Sequence, residues 1–370
     1  MSRVLTENGH EVEVLTRAFN EATVVDLNGI RVESVRPRRN WVLSFHHRIK
    51  HWHSALKFPM TRLSVAIARA LADAFLRRHQ ENPFDIVQSS NCSLSGLFLP
   101  SNRDLVHLVR VSGDYRLWID KDPSLKNTSD LDIRLHSRLE RRTIRHATAA
   151  YAPSELISKF WERRYGHRLD VVRPPVLIET QPAETLPGAI PDRYLLHFGA
   201  LSHLKGTALL AEALSIAWRS EPDLKMVWAG REKTQHFVEQ QRAKWGRQAD
   251  KVVYLGPVSR DVLYAVLKQA VASVLPSRVD NLPNTVIESL MLGVPVIGSA
   301  GASIDELVEH GVCGELVPID DVPALADSMV RAWRGQGAWT KEGFRAPAIL
   351  DEMAPQRAAE NFLQLAMTRV

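Results

Sequence analysis

Short apolar runs alternate with amphipathic stretches along most of the chain, most clearly in its second half. YLLHF (194–198), KMVWAG (225–230), VVYLG (252–256), ASVLP (272–276) and PVIGS (295–299) read as strands. TALLAEALSIAW (207–218) and the stretches 232–246, 260–270 and 285–292 carry helical spacing between them. Strands apolar on both faces and separated by helices belong to a parallel sheet covered on both sides. The first half repeats the theme less cleanly. EVEVLT (11–16), RVESV (31–35), FDIVQS (84–89), LVHLVRVS (105–112) and TAAYAP (148–153) read as strands, with helices over about 60–80 and 131–146.

This order predicts an α/β protein of two doubly wound, Rossmann-like domains facing across a cleft, with ligands at the carboxyl ends of the strands. The expected boundaries are 1–176, 177–345 and a helical segment at 346–370 that packs back on the first domain. RPPVLIE (173–179) and the Pro/Gly/Thr-rich stretch to Pro191 read as the linker. A doubly wound domain opens with a strand, a glycine-rich turn and a helix. This chain opens inside that helix: MSRVLTEN makes about two turns and Gly9 suits its cap. The first strand of the amino-terminal domain is therefore expected to be missing, which leaves two neighbouring strands with unpaired edges. A misplaced start codon, a fragment and a degenerate protein all account for this. The first fits the otherwise intact pattern, and it implies an upstream, in-frame continuation of roughly 15–30 residues.

Composition narrows the picture. Over 370 residues, 45% hydrophobic and 24% charged content allows two globular cores. No apolar run is long enough to span a membrane, and MSRVLTENGH lacks a signal-peptide core. The two cysteines, Cys92 and Cys313, form no zinc or disulfide pattern and fit a reducing cytoplasm. The net charge of +5 is unevenly spread. Between Glu33 and Asp73 there is no acidic residue, while Arg36, Arg38, Arg39, Arg48, Lys50, Lys57, Arg62 and Arg69 are interleaved with Trp41, Phe45, Trp52 and Phe58. Residues 36–69 read either as a contact for an anionic membrane surface, at the inner face of the cell membrane, or as a solvated face. Nucleic acid is not the expected partner.

Two segments carry candidate chemistry. In GALSHLKGT (199–207), Gly199 allows close backbone approach, and Lys205 precedes a helix with Thr207 as its expected N-cap. A lysine beside a helix N-terminus suits a phosphate, although lysines in solvated loops also precede helices. In SRVDNLPNTVIESLMLGVPVIGS (277–299), Asp280 in the loop can accept bonds from sugar hydroxyls, and Glu288 can take a vicinal diol such as a ribose. Thr285 and Glu288 equally spell a capping box, and Asp280-Asn281 equally a turn. The local pattern leaves both readings open.

The segment DNLPNTVIESLMLGVPVIGS resembles the signature of glycosyltransferase family 4, retaining enzymes of the GT-B fold: an acidic residue, seven residues, Glu, then a Gly-x-Pro-Val strand. Asp280 stands where Glu is commoner. The resemblance continues through HFGALSHLKG (197–206), VWAGRE (227–232), VYLGPVS (253–259) and IDELVEHGVCGELVPIDD (304–321), and weakly through AYAPSE (150–155) and ENGHEVEVLT (7–16). It implies transfer of a sugar from a nucleotide-diphosphate sugar, with no further cofactor and no metal. It also implies that Glu288 holds the ribose, Asp280 the donor sugar and Lys205 the leaving diphosphate. Asn281, Leu282, Pro283, Asn284 and Thr285 would line the phosphates and sugar, with Pro257 and Val258 beside the base. The acceptor would be a glycan, a lipid-linked or a small molecule in polysaccharide or glycoconjugate synthesis.

Departures from the family matter. Its usual arginine after the glycine is Ala200 here, which leaves Arg231 or Arg278 to supplement Lys205. No cleft histidine follows QSSN (88–91) or VSGD (111–114), and His107 reads as structural. Arg110, Asp114 and Arg116 are the acceptor-side candidates. Asp120-Lys121-Asp122 and Asp130-Leu131-Asp132 resemble metal-binding D-x-D pairs, but the second opens a helix after Thr128-Ser129, where acids favour the N-terminus. Competing readings are a degenerate nucleotide- or partner-binding relative and a sugar-nucleotide epimerase.

Overall fold

The computed structural model describes residues 1–37, 58–101, 104–119, 121, 128–179, 190–337 and 339–368. They divide into two units, Met1–Pro175 with Met353–Val370, and Val176–Glu352. Most of the basic segment 36–69, namely 38–57, lies outside the described residues, as do Asp120, Asp122 and the linker residues 180–189.

In the first unit, helix α1 (Ser2–Glu7) is followed by strands β1 (Glu13–Arg17), β2 (Val24–Leu27) and β3 (Ile30–Val35). β1 runs parallel to β3, and β2 folds back antiparallel on it. The turn is Asn28-Gly29, both with positive φ, a sequence that favours tight hairpins. Helix α2 (Pro59–Glu81) lies against these strands, tied by Arg78–Glu13 (2.6 Å) and Arg77–Glu33 (2.5 Å). A second, fully parallel sheet has the order β4 (Ile86–Ser90), β5 (Val106–Arg110), β6 (Ala149–Ala152), β7 (Asp170–Val171). Among the described residues β1 and β4 each stand at the edge of their sheet.

Helices α3 (Tyr115–Ile119), α4 (Asp130–His146) and α5 (Glu155–Tyr165) complete the unit, and the carboxyl-terminal helix Pro355–Met367 closes it. Phe362, Leu365 and Ala366 pack on Val106, Leu108, Tyr151 and Val172, with Met1 and Leu5 alongside. Asp132 serves another helix than expected: its carboxylate accepts the Met60 and Thr61 amides (3.0 and 3.1 Å) at the start of α2. Ser129 is the N-cap residue of α4 but makes no capping bond.

The second unit is a six-stranded parallel sheet. Its strands are β8 (Leu195–Phe198), β9 (Met226–Ala229), β10 (Val252–Gly256), β11 (Ser273–Leu275), β12 (Val296–Ala300) and β13 (Gly314–Pro318), in the order β10-β9-β8-β11-β12-β13. Between them run α6 (Thr207–Ser220), α7 (Phe237–Trp245), α8 (Arg260–Gln269) and α9 (Asn284–Met291), and α10 (Val322–Arg334) follows β13. Every residue of β8, β9 and β11 is buried, which is why their sequences are unbroken apolar runs. Trp218, Trp228 and Trp245 meet edge to face, at 5.5 and 5.6 Å between centroids, and anchor the core under α6 and α7. The chain winds outward from β8 through β9 to β10, then returns to β8's other side for β11, β12 and β13. The switch of direction falls between β8 and β11, where crevices for ligands form at the carboxyl ends of the strands.

On both sides of β8 the strand ends meet their neighbours by backbone contact, β9 at Gly230 and β11 at Pro276. At Gly230 φ is +139°, and a Cβ would lie 1.8 Å from the Gly199 carbonyl oxygen. At Gly206 φ is +69°, and a Cβ would lie 1.9 Å from the Pro276 carbonyl oxygen. Both neighbours are backbone and cannot yield cheaply. Gly230→Ala is expected to cost roughly 3 kcal/mol or more through overpacking and dihedral strain, a fall in Tm of roughly 6–12 °C. A thermal melt within 2 °C of the wild type would contradict this packing.

Candidate functional site

The loop after β8 is built on a buried polar chain. His197, in the middle of the sheet, is fully buried, and burial lowers its pKa to about 4. The neutral ring donates from Nδ1 to the Val274 carbonyl of β11 (2.7 Å). Nε2 is then left to accept the Thr207 hydroxyl (3.2 Å), whose oxygen accepts the Ser202 amide (3.0 Å). Thr207 is therefore not the expected N-cap of α6. Gly206 takes that position, and Thr207 spends its side chain pinning the loop. Lys205 is held by the same turn, its amide donating to Ser202 Oγ (3.3 Å).

Lys205 Nζ reaches across the switch and pairs directly with Asp280 Oδ2, in the loop after β11. Asp280 Oδ1 accepts the Asn281 amide (3.0 Å), and Ser277 donates to Oδ2 (3.4 Å). The loop bends through Leu282, whose φ of +52° is strained for a branched side chain. Its amide is met by Ser303 Oγ at 2.5 Å, and Ser303 also reaches the Asp280 carbonyl (3.5 Å). Ser303 is buried in the turn after β12, itself at positive φ with Ala302. A neighbouring loop thus holds the segment in its strained shape.

Helix α9 starts at Asn284 with Pro283 as N-cap, and no side chain caps it. The Val286 amide donates to the Pro283 carbonyl (3.0 Å), which leaves the Asn284 and Thr285 amides at the helix start to meet an anion. The capping box that Thr285 and Glu288 spell does not form. Thr285 instead stands against Gly199, where a Cβ would be 3.2 Å from its methyl group. Glu288 Oε1 accepts the Tyr264 hydroxyl (3.2 Å) from α8. Burial raises the Glu288 carboxyl above the usual range, opposed by the Tyr264 bond and the Arg260 charge. Gly199, Lys205, Asp280, Asn281, Leu282, Pro283, Asn284, Thr285 and Glu288 are thereby gathered at one end of one sheet. No local pattern in the sequence marks Tyr264, Ser303 or His197, which enter through tertiary contacts.

The remaining candidates are placed as follows. Arg231 follows β9 and is exposed, with its carbonyl accepting the Leu201 amide (3.0 Å). Arg278 is engaged by Asp320 (2.6 Å) and lies on His203, so Arg231 is the more available of the two. Pro257 and Val258 follow β10. In the first unit Arg110 ends β5, and Arg116 pairs with Asp130 (2.6 Å). Asp114 does not face solvent: it is buried, with the Tyr165 hydroxyl on Oδ2 and the Arg116 amide on Oδ1, both at 2.7 Å. Among the described residues no group of His, Cys, Asp and Glu is arranged to hold a metal. A groove of about 740 Å³ between β2–β3 and α2 is apart from this chemistry, and its Arg77 and Arg69 are paired with Glu33 and Asp73.

Two Rossmann-like units, with an anion-suited helix start, a lysine and two carboxylates at the switch point of the second, give the chain the GT-B architecture. Residues 192–334 match the family model described as glycosyl transferases group 1, to which the chain is related. D-inositol 3-phosphate glycosyltransferase of Mycobacterium marinum is 26% identical over 356 residues, covering 90% of this chain and 72% of that protein. Sucrose-phosphate synthase from Thermosynechococcus elongatus has the same fold, with a TM-score of 0.69 at 18% identity over 99% of this chain and 89% of that one. So does WaaG, a glycosyltransferase involved in lipopolysaccharide biosynthesis, with a TM-score of 0.66 at 15% identity over 97% and 93%.

The buried histidines set a pH dependence. His107, bonded to Ser89 Oγ (2.7 Å), is lowered by burial to about 4, as His197 is. Unfolded histidine takes up its proton near pH 6.5, the folded rings only near 4. Their stabilisation is complete above pH 6.5 and is lost progressively as the pH falls toward 4. Each site loses about 3 kcal/mol across the whole window. Urea unfolding followed by tryptophan fluorescence should show stability falling between pH 6.5 and 4.5, above the range of most carboxylates. A flat profile there would contradict neutral, buried rings.

Proposed function

We propose that the chain is a retaining glycosyltransferase that moves a sugar from a nucleotide-diphosphate sugar to a glycan, lipid-linked or small-molecule acceptor in cell-surface polysaccharide or glycoconjugate synthesis. The observation that carries this is Lys205 paired with Asp280 across the switch point, beside the uncapped start of α9 and with Glu288 one turn in. Breaking a sugar–phosphate bond builds negative charge on the diphosphate. A fixed cation and helix amides stabilise that charge most where water is excluded. In this reading the diphosphate draws Lys205 from Asp280, whose carboxylate then accepts sugar hydroxyls. Glu288 takes the ribose, and Arg231 supplies the cation that Ala200 does not. The relatives named above, one acting on inositol phosphate and one in lipopolysaccharide synthesis by their descriptions, support this class of acceptor. The leaving phosphate accepts the acceptor's proton on the same face, so the chain supplies no separate base.

Donor hydrolysis and transfer, screened by mass spectrometry over a panel of nucleotide sugars, test the reading. Lys205→Ala is expected to lower kcat/KM by about 10²-fold or more with the fold intact, and EDTA is expected to leave activity unchanged. Full activity in Lys205→Ala, or loss in EDTA restored by Mn²⁺, would overturn the mechanism. Binding of the panel without turnover would identify a degenerate relative instead.

The basic composition of 36–69 supports peripheral association with anionic lipid at the cytoplasmic face of a membrane. No helix among the described residues is long and apolar enough to cross one. Co-sedimentation with liposomes should require acidic lipid and weaken as salt rises. Equal binding to neutral liposomes, or none, would end this idea.

A further inference from the structure

Tyr264 lies 24 residues from Glu288 in sequence and meets it from a different helix. Its ring is buried in the packing of α8, only 4% exposed, and its hydroxyl emerges beside the carboxylate. Among the described residues that hydroxyl makes the one hydrogen bond to the Glu288 side chain, on Oε1. A carboxylate offers about four acceptor positions on its two oxygens. One occupied by a rigid phenol fixes the rotamer and leaves Oε2, with the second lone pair of Oε1, to accept two adjacent hydroxyls.

We propose that Tyr264 is the positioning residue of this site: it holds the Glu288 carboxylate in the orientation that accepts both hydroxyls of a nucleotide ribose, and so sets the discrimination between ribo- and 2′-deoxyribonucleotides. The inference rests on the reading of Glu288 as the ribose-holding residue. Two features support it beyond the contact. A Glu288 left without the tyrosine bond would lose one of the two influences, the other being the Arg260 charge, that keep it ionised against burial. Phenylalanine also keeps the buried ring, so the variant removes the hydroxyl and its bond alone.

The test is calorimetric titration of the full chain with UDP, GDP and ADP, then of the tightest of these against its 2′-deoxy counterpart. It is applied to wild type, Tyr264→Phe and Glu288→Gln. The wild type is expected to bind the ribonucleotide about 10-fold or more tightly than the deoxy form, a difference of one hydrogen bond to a charged group. Tyr264→Phe is expected to weaken the ribonucleotide by about 10-fold and the deoxynucleotide hardly at all, so that discrimination collapses. Ribonucleotide binding by this variant should also fail at a higher pH than in the wild type as the solution is acidified, because Glu288 protonates earlier. A structural role for Tyr264 would instead weaken both nucleotides equally and lower Tm. Retained discrimination in Tyr264→Phe, or equal weakening of both nucleotides, overturns the role of Tyr264 while leaving Glu288 as the ribose ligand. A wild type that binds nucleotides without discrimination, unaffected by Glu288→Gln, overturns the reading of Glu288 and this proposal with it. No binding of any of the three overturns both.

Discussion

The whole candidate site depends on β11 lying beside β8. Seventy-odd residues separate Lys205 from Asp280 in sequence, yet the return of the chain to β8's open side places their loops against each other. Contact is made by backbone, with the Gly206 α-carbon against the Pro276 carbonyl after β11. A side chain at Gly206 would push apart the loops that carry the lysine and the carboxylate. The geometry of the candidate site is therefore a consequence of sheet order first and of side-chain chemistry second.

Around that contact the protein fixes its loops with buried neutral groups and keeps its charges at the edge. His197, Thr207 and Ser202 form a chain of bonds beneath Lys205, and Ser303 clamps the strained turn at Leu282. A charged histidine in that position would sit in the sheet interior near Lys205, and both burial and the lysine oppose it. The cost of the Leu282 conformation, of order 1–3 kcal/mol, is borne by the surrounding bonds. The result is a preorganised loop, which suits stabilisation of charge that appears only during reaction.

How much of this the sequence disclosed follows from where each signal resides. The strands of the second unit were legible because burial on both faces writes itself as unbroken apolar runs, as in LLHF and MVWA. β2 was missed because all four of its residues are exposed, although Asn28-Gly29 marks its hairpin. Lys205, Asp280 and Glu288 stood out through spacing within two short segments. Their environment did not. The hydroxyls of Thr207 and Ser303, the carboxylate of Asp132 and the phenol of Tyr264 act on residues distant in sequence, and local capping rules assigned Thr207 and Asp132 to the wrong partners. Likewise Asp114, read as an acceptor contact, is consumed inside its own unit by Tyr165.

The most direct measurement of the central claim is a crystal structure of the chain grown with the nucleoside diphosphate that raises its Tm most. The account predicts the Lys205–Asp280 pair opened, a diphosphate oxygen about 2.7–2.9 Å from Lys205 Nζ and at the first-turn amides of α9, and both ribose hydroxyls on Glu288. A nucleotide bound elsewhere, or bound with Lys205 still paired to Asp280 and Glu288 untouched, would contradict it.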